Sequence, residues 1–314
     1  MTTTAEPGAG FVLVIYKEVS WTSHDAVARV RRILGQRQVG HGGSLDPLAS
    51  GVLMMAVGRA TKLLPHLVDL PKEYTGTIRF GWRTASGDLG GERVAEAPVP
   101  PMARGQVQDA ASTFLGRTLQ VPPMVSAVKH EGRRLYELAR RGVEVERSPR
   151  PIDIASFDIR GYDPPRADFE VVCGKGTYIR TLAEDLASRL GTIGVIESLV
   201  RSRVGRFEVA DACRLISRPC SEREGLLARA IPMSEALGHL PLVRVERKWT
   251  HRIRHGAAPP WQALEFDFDP SADQSVRIVG PEGDLLAIGS LSLVPGPAER
   301  TLRESLGLRL ERVV

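Results

Sequence analysis

Short apolar runs, separated by glycine, proline and charged residues, dominate the first two thirds of the chain. Continuous apolar stretches at residues 11–16 and 51–57, with strand-like runs at 75–80, 152–159 and 169–173, have the length of strands in a buried sheet. Between them the pattern shifts to the 3.6-residue repeat of amphipathic helices at 23–34, 107–115, 133–140 and 181–190. Ser23 is placed to cap the first helix, and Gly35, Gly142 and Gly191 to close helices with a left-handed residue. This alternation predicts a mixed α+β body. Proline-bracketed helical sequence follows Arg218, and beyond Pro241 the chain reads as strands with turns at Pro281-Glu282-Gly283 and Pro295-Gly296-Pro297. A boundary near residue 240 follows, with a body over 11–240 and a small β-rich domain over 241–314.

Composition narrows the setting. With 314 residues, 42% apolar and 25% charged, the chain has the make-up of a soluble globular protein. Its longest apolar runs fall far short of the roughly 20 residues a membrane span needs, and residues 1–10 carry neither the basic nor the apolar region of a secretion signal. Three cysteines, Cys173, Cys213 and Cys220, without a C-x-x-C pair argue against a disulfide framework or a four-thiolate zinc site, and for a reducing, cytoplasmic setting. The formal charge of +5 suits an anionic partner such as nucleic acid. After residue 240 ten basic residues are matched by ten acidic ones, so the excess lies in the body. It is visible at Arg29, Arg31, Arg32 and Arg37, across 129–150, and at Arg201, Arg203 and Arg206.

The segment with the most unusual chemistry is Gly40-His-Gly-Gly-Ser-Leu-Asp-Pro-Leu-Ala-Ser-Gly51, in which glycines bracket a single carboxylate, Asp46, held between Leu45 and Pro47. It matches no Walker, dinucleotide-binding or nucleophile-elbow pattern. An Asp among apolar neighbours is pushed toward its neutral form unless a cation holds it ionised, and Arg180 is the candidate cation. The plain alternative is that Asp46 only caps the turn before Pro47. Ser126-x-x-Lys129 resembles a serine-enzyme motif but lacks its partner motifs. His251 and His255 have helical metal spacing, yet no glutamate between them and no third ligand, which reads as a solvated pair. His41 either donates to a loop carbonyl or touches a bound base.

Residues 40–53 closely resemble the signature of the TruB family of tRNA pseudouridine-55 synthases. Lys72-Glu73-Tyr74, the run from Gln120-Val-Pro-Pro to Ser126-Ala-Val-Lys129, Tyr136-Glu-Leu-Ala-Arg140 and Gly174-Lys-Gly-Thr-Tyr-Ile-Arg180 follow in that family's order, so the resemblance spans most of residues 11–210. It implies a pseudouridine-synthase fold with a mixed, mainly antiparallel central sheet and a small C-terminal PUA-like β-domain. It also implies isomerisation of uridine at position 55 in the T-loop of tRNA, on an extruded nucleotide, without metal, redox or nucleotide cofactor. Asp46 would then be the catalytic carboxylate, Arg180 its ion-pair partner, and Tyr74 the ring that stacks on the base and can move a proton. His41, Tyr178, Leu199 and Lys17 would bind or shape the substrate. Residues of about 124–150 would form a thumb over the RNA. The T-arm of tRNA is the expected partner, with no membrane and no obligatory protein partner.

The sequence departs from that pattern in four places. Tyr16-Lys-Glu-Val-Ser20 stands where Asp-Lys-Pro-x-Gly is usual, Gly42 replaces Thr, Thr84-Ala-Ser86 replaces Thr-Asp-Thr before Asp88, and Val200 stands where an arginine is common. A non-catalytic RNA-binding protein on the same scaffold is the rival reading, and assay of product on an unmodified tRNA separates the two.

Overall fold

Two strands buried on both faces stand near the middle of the molecule, β1 (Phe11–Lys17) and β2 (Ser50–Val57). Their unbroken apolar runs leave no face for water, the pattern of strands covered on each side by another layer. The computed structural model describes residues 10–126, 129–130, 132–139, 141–293 and 306–314. With β3 (Lys72–Phe80), β4 (Gly116–Gln120), β5 (Arg150–Asp163), β6 (Arg166–Cys173) and β7 (Gly194–Val204), these strands form the main path of an 11-stranded sheet. Its order is β1-β2-β7-β3-β6-β5-β4, with the short strand Cys213–Arg214 outside β1. Neighbours along this path are antiparallel except β2 with β7 and β1 with Cys213–Arg214, so the sheet is mixed and mainly antiparallel, as the resemblance implied.

Strand β7 was not foreseen, although it lies inside the sheet between β2 and β3. Glu197, Ser198, Arg201, Ser202 and Arg203 interrupt its apolar pattern, and its Arg201 is only 1% exposed. Gly51 lets β7 approach: at φ +105°, a Cβ there would lie 2.3 Å from the carbonyl oxygen of Arg201. Gly51→Ala therefore meets both a forbidden backbone conformation and a backbone clash, and is expected to destabilise the fold by about 2 kcal/mol or more. A denaturant midpoint equal to that of the parent protein would refute this.

Helix α1 (Ser23–Leu34) has the predicted bounds and buries Ala26, Val27, Val30 and Leu34 on one face. Its cap is Thr22 rather than Ser23: Thr22 Oγ1 accepts from Asp25 N at 3.1 Å, and Asp25 accepts from Thr22 N at 2.8 Å. The Thr-x-x-Asp spacing makes this reciprocal pair possible and frees the Ser23 hydroxyl for other work. Gly35 closes the helix at φ +65°. Helix α2 (Arg104–Ser112) begins three residues before the expected 107, because the Gln106 side chain accepts from Ala103 N at 2.8 Å. Helix α3 (Ile179–Arg189) carries Arg180 in its first turn. In place of a helix over 133–140, Arg133–Arg134 pairs with Lys129–His130 and a single turn follows at Leu135–Ala139.

The C-terminal sheet begins at Leu242. It comprises β8 (Leu242–Val245), β9 (Leu264–Phe266), β10 (Ser275–Val279), β11 (Leu285–Leu293) and β12 (Leu306–Val313), in the order β9-β8-β10-β11-β12. One side encloses a core of Val243, Ile253, Ile278, Leu286 and Leu291. Val279, Leu285, Ile288 and Val314 instead pack with Val12, Val14, Val52 and Met54, which docks this sheet onto the body.

The expectation about cysteines is corrected in one respect. Cys213 and Cys220, seven residues apart, are joined in one disulfide that ties the edge strand to the loop after it, while Cys173 is a buried thiol. No helix among the described residues is long and apolar enough to cross a membrane. Residues 1–9, the turn Pro295-Gly296-Pro297, and Arg300 and Arg303 lie outside the described residues. So do Ala127, Val128, Glu131 and Arg140 of the thumb segment, with the side chains of Lys129, Arg133, Arg134 and Tyr136.

Candidate active site

Asp46 sits in the loop joining Val39–His41 to β2, and buried polar side chains pin that loop from beneath. Ser23, released from capping, takes Leu45 N at 2.9 Å and donates to Leu45 O at 3.3 Å. Lys17 is fully buried and donates to the carbonyls of Glu18 at 3.0 Å, Trp21 at 2.6 Å and Pro47 at 3.4 Å. Burial lowers its pKa to about 8, against the opposing pull of Asp46. Arg201 reaches from β7 to Val52 O at 2.7 Å, Gly43 O at 3.1 Å and Ser44 O at 3.4 Å. Gly43, Ser44 and Pro47 lie on either side of Asp46 in the irregular loop, so the bonds to their carbonyls hold its backbone on both sides.

Arg180 arrives from helix α3 and meets Asp46 side-on: Nη2 donates to Oδ1 at 3.1 Å, and Nε lies 2.8 Å from Oδ2 as an ion-pair contact outside hydrogen-bond geometry. The guanidinium side chain is 4% exposed, whereas the Asp46 side chain is 39% exposed at the mouth of a cleft. Arg180 Nη2 also donates to Val125 O at 2.8 Å, and Nη1 to Ser86 O, so its orientation is fixed by groups other than Asp46. Burial raises the Asp46 pKa; Arg180 opposes that shift, the charge of Asp88 adds to it, and the balance lies above the usual carboxylate value.

Asp46 and Arg180 line a cleft of about 240 Å³, together with Lys72, Tyr74, Tyr178, Leu199 and Arg201. This is room for one nucleoside, bounded by two aromatic rings and by cations on its walls. Two larger hollows lie elsewhere, near Arg206 and near Thr118, and neither includes Asp46. Tyr74 is buried on β3, which raises its pKa, partly offset by Arg201, so its hydroxyl is protonated at neutral pH. Burial likewise raises that of Tyr178.

Five of the seven residues singled out from the sequence, Asp46, Tyr74, Tyr178, Arg180 and Leu199, thus surround one cavity. Lys17 and His41 do not line it. Lys17 lies under the loop, with its ammonium directed at carbonyls, and His41 stands edge-on to His24 with ring centroids 5.8 Å apart. Arg201 was missed as a member of the site, since a charge on an apparently exposed segment reads as solvated. Of the decoys, His251 and His255 stack on an exposed helix face with centroids 4.2 Å apart. No cluster suited to a metal ion occurs among the described residues.

The departures at residues 16–20 and 84–86 leave the site assembled. Ser20 keeps a left-handed φ of +70° and donates its N–H to Pro47 O at 2.8 Å, at roughly 1 kcal/mol relative to a glycine. Ser86 Oγ donates to Asp88 Oδ1 at 2.6 Å and Thr84 Oγ1 to Asp88 O at 2.7 Å, so the altered trio still holds the acid behind Arg180.

The family model described as TruB family pseudouridylate synthase (N terminal domain) matches residues 31–179. A protein of Symbiobacterium thermophilum called tRNA pseudouridine synthase B is 46% identical over 251 residues, covering 79% of this chain and 82% of the relative. Its namesake from Moorella thermoacetica is 41% identical over 283 residues, 89% of this chain and 92% of the relative. Among solved structures, one of a Cbf5–Nop10–Gar1 complex superposes with a TM-score of 0.74 at 23% identity, over 98% of this chain and 84% of that one. At that identity the likeness concerns the fold, body and C-terminal sheet together.

Proposed function

Because the chain belongs to the TruB family of pseudouridylate synthases, its reaction is the isomerisation of uridine to pseudouridine in tRNA, and we propose that Asp46 is the carboxylate that carries it out on uridine 55 of the T-loop, in the cytoplasm. The observation that carries the assignment of roles is the Asp46–Arg180 fork at the mouth of a cleft sized for one nucleoside. A base inside a folded RNA loop is out of reach until its nucleotide is extruded and stacked on a ring, and Tyr74 supplies the ring. The C1′–N1 bond then breaks, with its electron pair passing to the uracil. Asp46 acts either by bonding to C1′ or by taking the C2′ proton to leave a glycal. The uracil turns over and C5 bonds to C1′, either as the Asp46–C1′ bond breaks or, from the glycal, as Asp46 returns its proton to C2′; the proton on C5 is then lost, and N1 gains one. Asp46 must be ionised for either route, and Arg180 favours that form.

The test is direct: an unmodified tRNA transcript is incubated with the protein, and pseudouridine is quantified and mapped. Product at position 55 supports the reading; binding without product favours the RNA-binding rival, and product elsewhere moves the substrate site. Phosphate contacts by the basic body predict that tRNA affinity falls steeply with salt, by about 10³-fold or more between 50 and 200 mM if six or more phosphates are neutralised. A flat log–log plot of affinity against salt would exclude that mode of binding.

A further inference from the structure

Gln120 ends strand β4 at the sheet edge, yet it is only 3% exposed. Its carboxamide turns inward to a residue 58 positions away, with Nε2 donating to Tyr178 O at 3.1 Å and Oε1 accepting from Tyr178 N at 2.8 Å. One side chain thereby copies the two-bond pairing of a β-ladder on a residue that belongs to no strand. Tyr178 is the residue from which helix α3 starts; it has extended φ and ψ of −98° and 109° and no side-chain cap of its own. Its carbonyl also accepts the first bond of the helix, from Leu182 N at 3.0 Å. Arg180 lies two residues further on.

The chain that leaves Gln120 runs back across the same helix end. Val125 O accepts a hydrogen bond from Arg180 Nη2 at 2.8 Å, and Ser126 and Tyr178 share the cleft wall. The edge of the sheet and the chain that follows it are thus tied to the first turn of α3 by three hydrogen bonds, two of which run from the Gln120 carboxamide to backbone.

We propose that Gln120 is a positioning residue for the reaction: by clamping the backbone of Tyr178 it sets the distance and angle at which the Arg180 guanidinium forks the Asp46 carboxylate. The inference rests on the roles given above to Asp46 and Arg180. A side-on fork has little tolerance, since a shift of the helix end by about 1 Å turns two contacts into one, and misplacement on that scale costs about 10²-fold in rate. Only a carboxamide of this length both donates and accepts here: glutamate keeps the acceptor but sets a second oxygen against Tyr178 O, and asparagine is one methylene short.

Gln120→Glu and Gln120→Met test the idea by single-turnover rates on unmodified tRNA transcript across pH, tRNA affinity and thermal midpoint. The expected result is a rate about 10- to 100-fold lower in both, with affinity within about twofold of the parent. The acid limb of the rate profile moves to higher pH, because Asp46 loses part of the attraction that opposes its burial. A merely structural role would not move that limb in Gln120→Met. A parent-like rate, a loss found wholly in affinity, or an unshifted limb overturns the proposal. Should Gln120→Met fail to fold, Gln120→Glu, equal in size and still accepting from Tyr178 N, decides through its rate and affinity, because its own negative charge moves the acid limb whatever its role. An active Asp46→Asn variant would bring down the reading of the site itself, whereas an inactive one beside normal Gln120 variants would remove only this inference.

Discussion

Asp46→Asn should lower the rate of pseudouridine formation by on the order of 10⁴-fold or more, the scale seen when a residue that reacts with or deprotonates the substrate is lost, while tRNA affinity stays close to that of the parent. The amide matches the carboxylate in shape but can neither bond to C1′ nor take a proton. The environment argues that the fold will hold. The Asp46 side chain is 39% exposed and its loop is fixed by Ser23, Lys17 and Arg201 through backbone groups, so none of those bonds involves the carboxylate. Single-turnover assay with filter binding separates the two quantities, and a rate within tenfold of the parent would require another carboxylate to do the chemistry. In the parent enzyme the same group predicts an acid limb. Burial lifts the Asp46 pKa above the usual carboxylate value, so as pH falls the charge, and the activity with it, is lost earlier than for a solvated Asp.

Arg180→Met should be the second most damaging change, with a rate loss on the order of 10²–10³-fold, comparable to removal of one preorganised electrostatic partner. Two of its consequences have a definite sign. Arg180 opposes the upward shift of the Asp46 pKa, so without it that pKa rises further and the acid limb moves to higher pH. The loss should therefore be smaller at alkaline pH, where Asp46 is ionised regardless. Arg180→Lys should recover little, because an ammonium cannot meet both Asp46 oxygens while also donating to Val125 O and Ser86 O as the planar fork does. A pH–rate profile of either variant that superposes on the parent after scaling would contradict the account of how Asp46 is kept charged.

What could be read before the structure follows a physical line. Apolar runs dense enough to be covered on both faces, such as β1 and β2, announce themselves by composition. So does a carboxylate set among glycines and apolar residues. The strand between β2 and β3 did not, because Glu197, Ser198, Arg201 and Arg203 give β7 the look of a solvated segment while its partners on both sides are strands. Lys17, Ser23, Gln120 and Arg201 share one reason for being hard to place: all four bond main-chain groups, and every residue has those, so no complementary side chain marks the partner in the sequence. Lys17 was assigned to the substrate on resemblance, whereas its three acceptors are carbonyls beneath the Asp46 loop. For the cap of α1 the deciding signal was present, since Asp25 lies three residues after Thr22 and two after Ser23.

The place of β7 in the sheet also bears on how the protein is made. A ribosome completes β2 and β3 and must still add residues 81–193 before the strand that lies between them exists. Until then the emerging chain has neither Leu199 nor Arg201, and the edges of β2 and β3 that β7 will join stand unpaired, the kind of surface on which nascent chains misassociate. Assembly around such a late, long-range insertion is expected to be slow. Catalytic competence should accordingly appear in one step, after translation has passed Val204, and truncated products ending before it should bind no nucleoside in the cleft.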